Sequence, residues 1–370
     1  GRQRVAVGRI ALRETLGRVE ATFTVERHAH PVTQGLAPEA LDRLLGGIAG
    51  AEQAIVRAGT LAIDAHFTLV DADVPWCLRW AATCLAELAS TCDGIVVDLA
   101  AQRCQTPTMV ARLRDAAPLA QIALHNEPWG PELRWLHTHG LQKFGQPELE
   151  LVGIPQMLES YGAAVLRSVA EPLAAAPADA GVALRAGMAV ECDGAGTLLA
   201  RNAPVDADHQ APYGRLRLVT QPVPGQEPGS DAAEVAVSAA LAAASDAMAA
   251  RNAPHASEIT DRVLVALPNH PAALALKARL LLAQAQPGAA LEIGTFLATH
   301  APRDPRGPLV MGMALLALGR QMEALGAFNR AITRDPEDPA PYEARAHLYD
   351  RLGQGYEATA DRARAKMLRG

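Results

Sequence analysis

Residues 305–338 read PRGPLVMGMALLALGRQMEALGAFNRAITRDPED, and this stretch decides the fold of the C-terminal part of the chain. Prolines recur 34 residues apart in two series: Pro268, Pro302 and Pro336, and Pro271, Pro305 and Pro339. Each pair of prolines follows an apolar segment with helical periodicity, and proline is tolerated in the first turn of a helix but not in its interior. The spacing therefore predicts consecutive helix pairs with a 34-residue period.

Small and large residues recur at matching places within these units, because two antiparallel helices cross closely only where side chains are small. The unit that ends at Pro336 supplies Gly312, Leu315, Gly319, Ala324, Phe328 and Ala331. The following unit supplies Tyr342, Ala346, Tyr349, Gly353, Ala358 and Ala365, and the preceding one Leu274, Ala278, Leu281, Ala290 and Leu297. A weaker unit covers about 237–270. Residues 237–370 thus resemble the tetratricopeptide-repeat family, which implies an all-α helical repeat.

The resemblance also implies a concave groove that is lined by the first helix of each pair and binds protein segments. The candidate partner-binding residues are Arg279, Leu282, Leu309, Met313, Leu316, His347 and Arg351. The central ones are apolar, and an exposed apolar groove indicates an interaction site. Its occupant could be an amphipathic helix or extended segment of a partner protein, the chain's own N-terminal domain, or a second copy of the chain.

A Pro/Gly-rich stretch, QPVPGQEPGS at 221–230, cannot sustain a helix or a central strand, so we expect a linker over 221–236. The domain before it, 1–220, mixes strand-like and helix-like patterns. Strands are predicted at 4–12, 19–27, 60–70, 94–98, 120–125, 132–140, 148–152, 188–192 and 215–220, and helices at 38–58, 75–90, 106–116 and 155–175. The prediction is an α+β domain with a mainly antiparallel sheet.

One run in this domain, WLHTHGLQKFGQPELE at 135–150, is dense in histidine, glycine and aromatic residues. It resembles a W-x-H-T-x-G-L-x-K-F-G-x-P-E-L pattern of uncharacterised bacterial α+β domains, a resemblance that carries no activity. His137 and His139 are two residues apart in a predicted strand and are expected on the same face. With His125 on the preceding strand they are candidate ligands of a divalent metal, and Glu127, Glu148 or Glu150 could complete the set. Alternatively, one histidine hydrogen-bonds the following turn and the other faces solvent.

Composition excludes several other classes. The net charge is −6, and residues 231–370 carry 15 basic and 15 acidic side chains, so nucleic-acid binding is disfavoured. We expect no membrane segment and no signal peptide. Five cysteines without a CxxC motif favour reduced thiols and a cytoplasmic location. A cysteine nucleophile (Cys84, Cys92 or Cys104) with His125 as base is a weaker alternative, because buried cysteine on an apolar helix is ordinary packing.

The sequence therefore predicts a bacterial adaptor or assembly factor that binds protein through the repeat groove, without an enzymatic activity and without a cofactor. Two alternatives stay open. The first is a metal-dependent hydrolase at His125, His137 and His139, whose repeats recruit the substrate. The second is a structural subunit of a larger assembly, a homo-oligomer included, whose groove is filled by a neighbour.

Overall fold

The computed structural model of the chain describes residues 3–14, 17–27, 30–31, 33–34, 36–69, 74–176, 183–192, 194–203, 214–220 and 231–369. The chain divides into two units, Gly1–Val235 and Ala236–Gly370. The first combines sheets with helices and the second is all helical, so the predicted fold class is confirmed.

Eleven strands are present among the described residues of the first unit. They are β1 (Gln3–Glu14), β2 (Gly17–Arg27), β3 (Leu61–Leu69), β4 (Val96–Asp98), β5 (Arg103–Gln105), β6 (Ala123–Pro128), β7 (Leu133–His139), β8 (Glu148–Pro155), β9 (Ala189–Cys192), β10 (Gly196–Asn202) and β11 (Arg215–Thr220). They form three separate sheets where the sequence predicted one: β1-β2-β3, β4-β5, and a six-stranded sheet in the order β6-β7-β8-β11-β10-β9. Every pairing is antiparallel except that of β8 with β11.

The helices of the first unit are α1 (Pro38–Leu45), α2 (Gly50–Ala58), α3 (Val74–Thr91), α4 (Pro107–Arg112) and α5 (Glu159–Ala175). The single helix predicted over 38–58 is wrong: it is interrupted between Leu45 and Gly50. Two consecutive glycines, Gly46 and Gly47, follow α1, and each costs about 1 kcal/mol in a helix interior relative to alanine.

Helix α5 packs against one face of the six-stranded sheet. That face carries Leu136 on β7 and Ile154 on β8, both fully buried. Gly162 on α5 lies so close to the sheet that a Cβ there would stand 2.9 Å from Leu136 Cδ1. The neighbours of Leu136 along β7 project from the opposite face, because side chains alternate along a strand. This second face carries the histidines and is polar.

The second unit consists of antiparallel helix pairs. Its helices are α6 (Asp231–Ala249), α7 (Ala253–Ala266), α8 (Pro271–Ala283), α9 (Pro287–His300), α10 (Arg306–Ala317), α11 (Gln321–Arg334), α12 (Pro339–Arg351) and α13 (Gly355–Arg369). The second helices of the pairs, α7, α9, α11 and α13, begin 34 residues apart, as the proline series predicts.

The first helix begins earlier than predicted. Residues 231–236, assigned to the linker from sequence, belong to α6. The last helix-breaking residues before it are Pro228 and Gly229, and an alanine-rich segment with high helix propensity follows. Residues 221–230 lie outside the described residues.

Glycines let neighbouring helices of the repeat approach each other. A Cβ on Gly312 of α10 would lie 2.5 Å from Cδ1 of Phe328, a fully buried residue of α11. A Cβ on Gly294 of α9 would lie 2.8 Å from the backbone nitrogen of Met311. The predicted pairing of small with large residues at helix crossings is therefore present at Gly312 and Phe328.

We expect Gly312→Ala to destabilise the repeat by about 1–3 kcal/mol, because the added methyl group overpacks the crossing against Phe328. The matched control is Gly326→Ala on α11, where the nearest atom to an added Cβ is Arg330 Nη1 at 3.7 Å. That change should stabilise the repeat by about 0.5–1 kcal/mol, because alanine lowers the backbone entropy of the unfolded chain and the added methyl group meets no close atom. Urea unfolding followed by circular dichroism distinguishes the two, and equal shifts of the same sign would contradict the packing described.

Candidate functional site

Three histidines meet on the polar face of the six-stranded sheet. His125 on β6 lies directly opposite His137 on β7, and His139 follows two residues later on the same face. The ring centroids are 5.6 Å apart for His125–His137, 4.6 Å for His125–His139 and 4.9 Å for His137–His139. One ring nitrogen from each lies within 4.8 Å of the other two. We call these residues the histidine cluster.

Two of the three histidines are buried. His137 and His139 are 0% and 1% exposed, and His125 is half-buried. The alternative in which one of the strand histidines faces solvent is therefore wrong. The spacing of two residues along β7, together with the antiparallel register of β6, brings the three rings together as predicted.

Glu127 is the carboxylate nearest to the cluster on β6. Its Oε1 lies 3.5 Å from Nε2 of His137 and also accepts a hydrogen bond from Nη1 of Arg43 on α1. Helix α1 is thereby connected to the histidine face. The sequence singled out Glu127 as a further metal ligand but gave no indication of the contact with Arg43, which is far away along the chain.

Glu150 on β8 lies opposite His137 and is the centre of a buried ionic network. It accepts hydrogen bonds from Nε1 of Trp135 at 3.0 Å and from Nε of Arg217 at 2.7 Å. Arg215, also buried, places Nη1 3.9 Å from the Glu150 carboxylate and its guanidinium over the Trp135 ring at 5.2 Å. Sequence reasoning missed both arginines. Their spacing of two residues in the predicted strand 215–220 was the signal that they share a face.

Glu148 accepts hydrogen bonds from the turn after β7. Its Oε1 accepts hydrogen bonds from the backbone nitrogens of Gly140 (2.8 Å) and Gln142 (3.3 Å), and its Oε2 from the hydroxyl of Thr138 (2.8 Å). Burial raises the pKa of Glu148, and these hydrogen bonds oppose the rise. Glu148 and Glu150 both already accept hydrogen bonds from other groups. The histidines are therefore the stronger candidates for metal ligands.

The run 135–150 thus forms a strand, a tight turn and the start of the next strand. The turn residue Gly140 has φ +113°, and a 3₁₀ helix, Leu141–Phe144, follows it. Lys143 donates to Oδ2 of Asp98 at 2.5 Å and to the carbonyl oxygen of Gln121 at 3.1 Å. Burial lowers the pKa of Lys143, and the charge of Asp98 opposes this. The resemblance of the run to uncharacterised bacterial domains stays a prediction.

Two of the three candidate cysteines, Cys84 and Cys104, do not support a nucleophile. Cys104 is buried in a cluster with Leu45, Ile48 and Val56, and burial raises the pKa of its thiol to about 11. Burial also raises the pKa of Cys84. A thiol needs its thiolate form to attack, so neither residue is activated at neutral pH. Cys92 is exposed at the end of α3.

We expect Cys92 to react with a thiol reagent in the native protein at neutral pH and Cys104 to react only after unfolding, because access and thiolate fraction set the rate. Stopped-flow titration with an aromatic disulfide measures this. Cys92→Ser should remove the fast phase, and Cys104→Ser should leave it unchanged. A fast phase that survives Cys92→Ser would show that a second thiol, either the half-buried Cys84 or a buried one, is accessible in the native protein.

The predicted partner-binding residues lie on the first helices of three consecutive pairs, α8, α10 and α12. Arg279, Met313 and His347 are spaced by 34 residues and occupy equivalent positions, as do Leu282 and Leu316. Arg279, His347 and Arg351 are exposed. The remaining four are half-buried: Leu282, Leu309, Met313 and Leu316. We call these seven residues the first-helix face.

The apolar part of this face is more enclosed than the sequence predicted. Leu309, Met313 and Leu316 pack against the core around Phe328 and Leu348. Nη1 of Arg351 donates to the carbonyl oxygen of Leu316 at 3.4 Å, in the last turn of α10. Arg351 therefore also connects two repeats. The acidic residues beside it, Glu343 and Asp350, are bound by Arg369 and Arg362 of α13.

Solved structures similar to part of this chain include tetratricopeptide-repeat proteins. TTC0263, a thermophilic TPR protein of Thermus thermophilus, has 26% identity over 36% of this chain and 74% of its own, with a TM-score of 0.34. MamA of Desulfovibrio magneticus has 21% identity over 36% and 75%, with a TM-score of 0.29. These scores are low, so the repeat fold rests on its 34-residue helix period. No protein-family model matches the chain, and no curated protein does.

Among the described residues, no helix combines the length and the apolar character needed to cross a bilayer.

Proposed function

We propose that the chain is a protein-interaction scaffold whose first-helix face binds a segment of another protein. The observation that supports this is the equivalence of Arg279, Met313 and His347 in consecutive repeats, which aligns them along one side of the helical array. Helical repeats of this kind bind partners along such a continuous surface.

The chemistry of the face defines the partner. Leu309, Met313 and Leu316 offer an apolar strip that is half accessible, and Arg279 and His347 lie on equivalent turns on either side of it. Because α13 neutralises Glu343 and Asp350, the face presents cationic groups in excess. The partner segment proposed is therefore one with apolar side chains at its centre and a carboxylate that meets Arg279.

Selection of peptides from a display library on the full chain tests this proposal. A selected peptide should contain an acidic residue beside apolar ones. Its dissociation constant should rise at least about tenfold with Arg279→Glu or Met313→Glu, which is the loss of one central contact. The matched controls are Arg364→Glu and Met322→Glu, since both residues are exposed on second helices. Circular dichroism verifies that each variant is folded.

Two results would contradict the proposal. One is that the selected peptides bind equally to the Met313→Glu and Met322→Glu variants, which would exclude the first-helix face. The other is that light scattering detects a dimer of the full chain which Met313→Glu dissociates, because the face would then be covered by a second copy.

A further inference from the structure

We propose that the histidine cluster is a binding site for a divalent transition-metal ion, with Zn²⁺ as the ion its ligand chemistry suits best. The inference is independent of the scaffold function, because it concerns the first unit and the scaffold concerns the second. It rests on the convergence of three imidazole rings from two neighbouring strands.

The ring nitrogens of the histidine cluster are close to the spacing that a zinc site requires. In tetrahedral zinc sites the Zn–N distance is about 2.0–2.1 Å, which places two ligand nitrogens roughly 3.4 Å apart. The ring nitrogens of His125, His137 and His139 lie within 4.8 Å of one another, so closure by roughly 1.4 Å or less brings each pair to that spacing. Small rotations of the side chains supply such a movement, while the paired strands β6 and β7 hold the backbone in place.

The imidazole ligands of the cluster select the kind of ion. Imidazole nitrogen is a ligand for Zn²⁺, Cu²⁺, Ni²⁺ and Fe²⁺, whereas Mg²⁺ and Ca²⁺ prefer oxygen. With three neutral nitrogens the site discriminates against the hard cations. Three protein ligands leave a fourth position open, which is the arrangement in which zinc binds and activates water. The hydrolase hypothesis from the sequence requires this ion.

A carboxylate, that of Glu127, lies beside the histidine cluster. Glu127, with its Oε1 3.5 Å from Nε2 of His137, is placed to accept that N–H and to direct the other ring nitrogen of His137 to a metal. Carboxylates commonly orient metal-binding histidines in this way and raise their basicity. Glu127 is a positioning residue in this account, and Arg43 in turn holds it. Glu150 on the neighbouring strand lies opposite His137, but its single negative charge faces the guanidinium groups of Arg215 and Arg217, so Glu127 is the carboxylate that acts on the cluster.

Metal binding is measured on the full chain, expressed without a histidine tag and with Cys92→Ser as background to exclude a thiol ligand. After dialysis against Zn²⁺, elemental analysis should find one equivalent per chain. Co²⁺ in its place should give the visible absorption of a tetrahedral site with nitrogen ligands. His125→Ala and His139→Ala should each lower the Zn²⁺ affinity by more than about 100-fold, and Glu127→Gln by about 10–100-fold. The control His255→Ala removes an exposed histidine of α7 and should change nothing.

Thermal unfolding is a second measurement, which is needed if a variant folds poorly. In the protein with an unmodified histidine cluster, Zn²⁺ should raise the midpoint of thermal unfolding. The rise should be proportional to the logarithm of the Zn²⁺ concentration, as binding to the native state requires. His125 is half-buried, so His125→Asn is the mildest variant, and it should abolish the shift. Less than a tenth of an equivalent of Zn²⁺ in the unmodified cluster, or binding that His125→Asn and His139→Ala leave unchanged, would overturn the proposal.

Discussion

Glu150→Gln is expected to lower the free energy of unfolding of the first unit by about 3–5 kcal/mol, the range for removing one partner of a buried ion pair. Glu150 is 1% exposed and its carboxylate is the counter-charge of Arg215, which is 2% exposed. Glutamine preserves the size of the side chain but removes the negative charge that faces the buried guanidinium. Tryptophan fluorescence in urea reports on this unit, because all four tryptophans precede residue 136.

The matched control is Glu323→Gln, which removes the same charge from an exposed pair with Arg320. Solvent screens an exposed pair and leaves it with little effect on stability, so this control should unfold almost as the unmodified chain does by circular dichroism. A Glu150→Gln midpoint within the error of the unmodified protein would show that Glu150 is not the charge partner of the buried arginine.

Gly140→Ala should destabilise the first unit by about 2–5 kcal/mol, since two costs add. Alanine in the left-handed region costs about 1–2 kcal/mol, and Gly140 has φ +113°. In addition, the new Cβ would stand 2.8 Å from the carbonyl oxygen of Gln121 and 3.3 Å from Cα of Ile122, an overpacking worth about 1–3 kcal/mol. The backbone nitrogen of Gly140 also donates to Glu148, so the strain falls on the turn beside the histidines.

Gly130→Ala separates these two costs. Gly130 has φ +111°, but an added Cβ there would have no atom within 4 Å. Its substitution should therefore carry only the conformational cost of about 1–2 kcal/mol. Urea unfolding of both variants, followed by tryptophan fluorescence, gives the difference. If Gly130→Ala destabilised as much as Gly140→Ala, the close approach of Gln121 would contribute nothing.

The repeat was predictable because its cause is local. A 34-residue period of prolines and small residues specifies where each helix starts and where two helices cross, and this information is contained in one unit of sequence. Gly312 and Phe328 illustrate it, since their partnership follows from position in the repeat alone. The start of α6 at Asp231 was not predicted. The preceding prolines and glycines favoured a linker, and its predicted end was placed at residue 236, inside the helix.

The sheets were harder to predict, because strand pairing depends on residues distant in sequence. The short strand β5 and the strand β10 lacked a strong alternating pattern, and the sequence did not indicate that three sheets form. Likewise, the apolar periodicity of 38–58 is continuous and predicted one helix, although the two glycines after α1 interrupt it. Tertiary context decided the strand pairing, whereas the interruption after α1 has a local cause.

Residue spacing predicted the histidine cluster itself but not the contacts around it. His137 and His139 were placed together by their two-residue separation, and His125 joined them because successive strands paired as a hairpin. The contacts that surround the cluster could not be derived in the same way. Arg43 reaches Glu127 from a helix, and Arg217 reaches Glu150 through the parallel pairing of β11 with β8.

The measurement that tests the scaffold function most directly is site-specific photo-cross-linking in the cells from which the chain derives. A photoreactive phenylalanine analogue is placed at position 347 of the first-helix face or, as control, at Met322, which is 72% exposed on α11. We predict a cross-linked product with a different protein from position 347 and none from position 322. A product of equal yield from both positions, or a product from position 347 with the mass of two copies of the chain, would contradict the account.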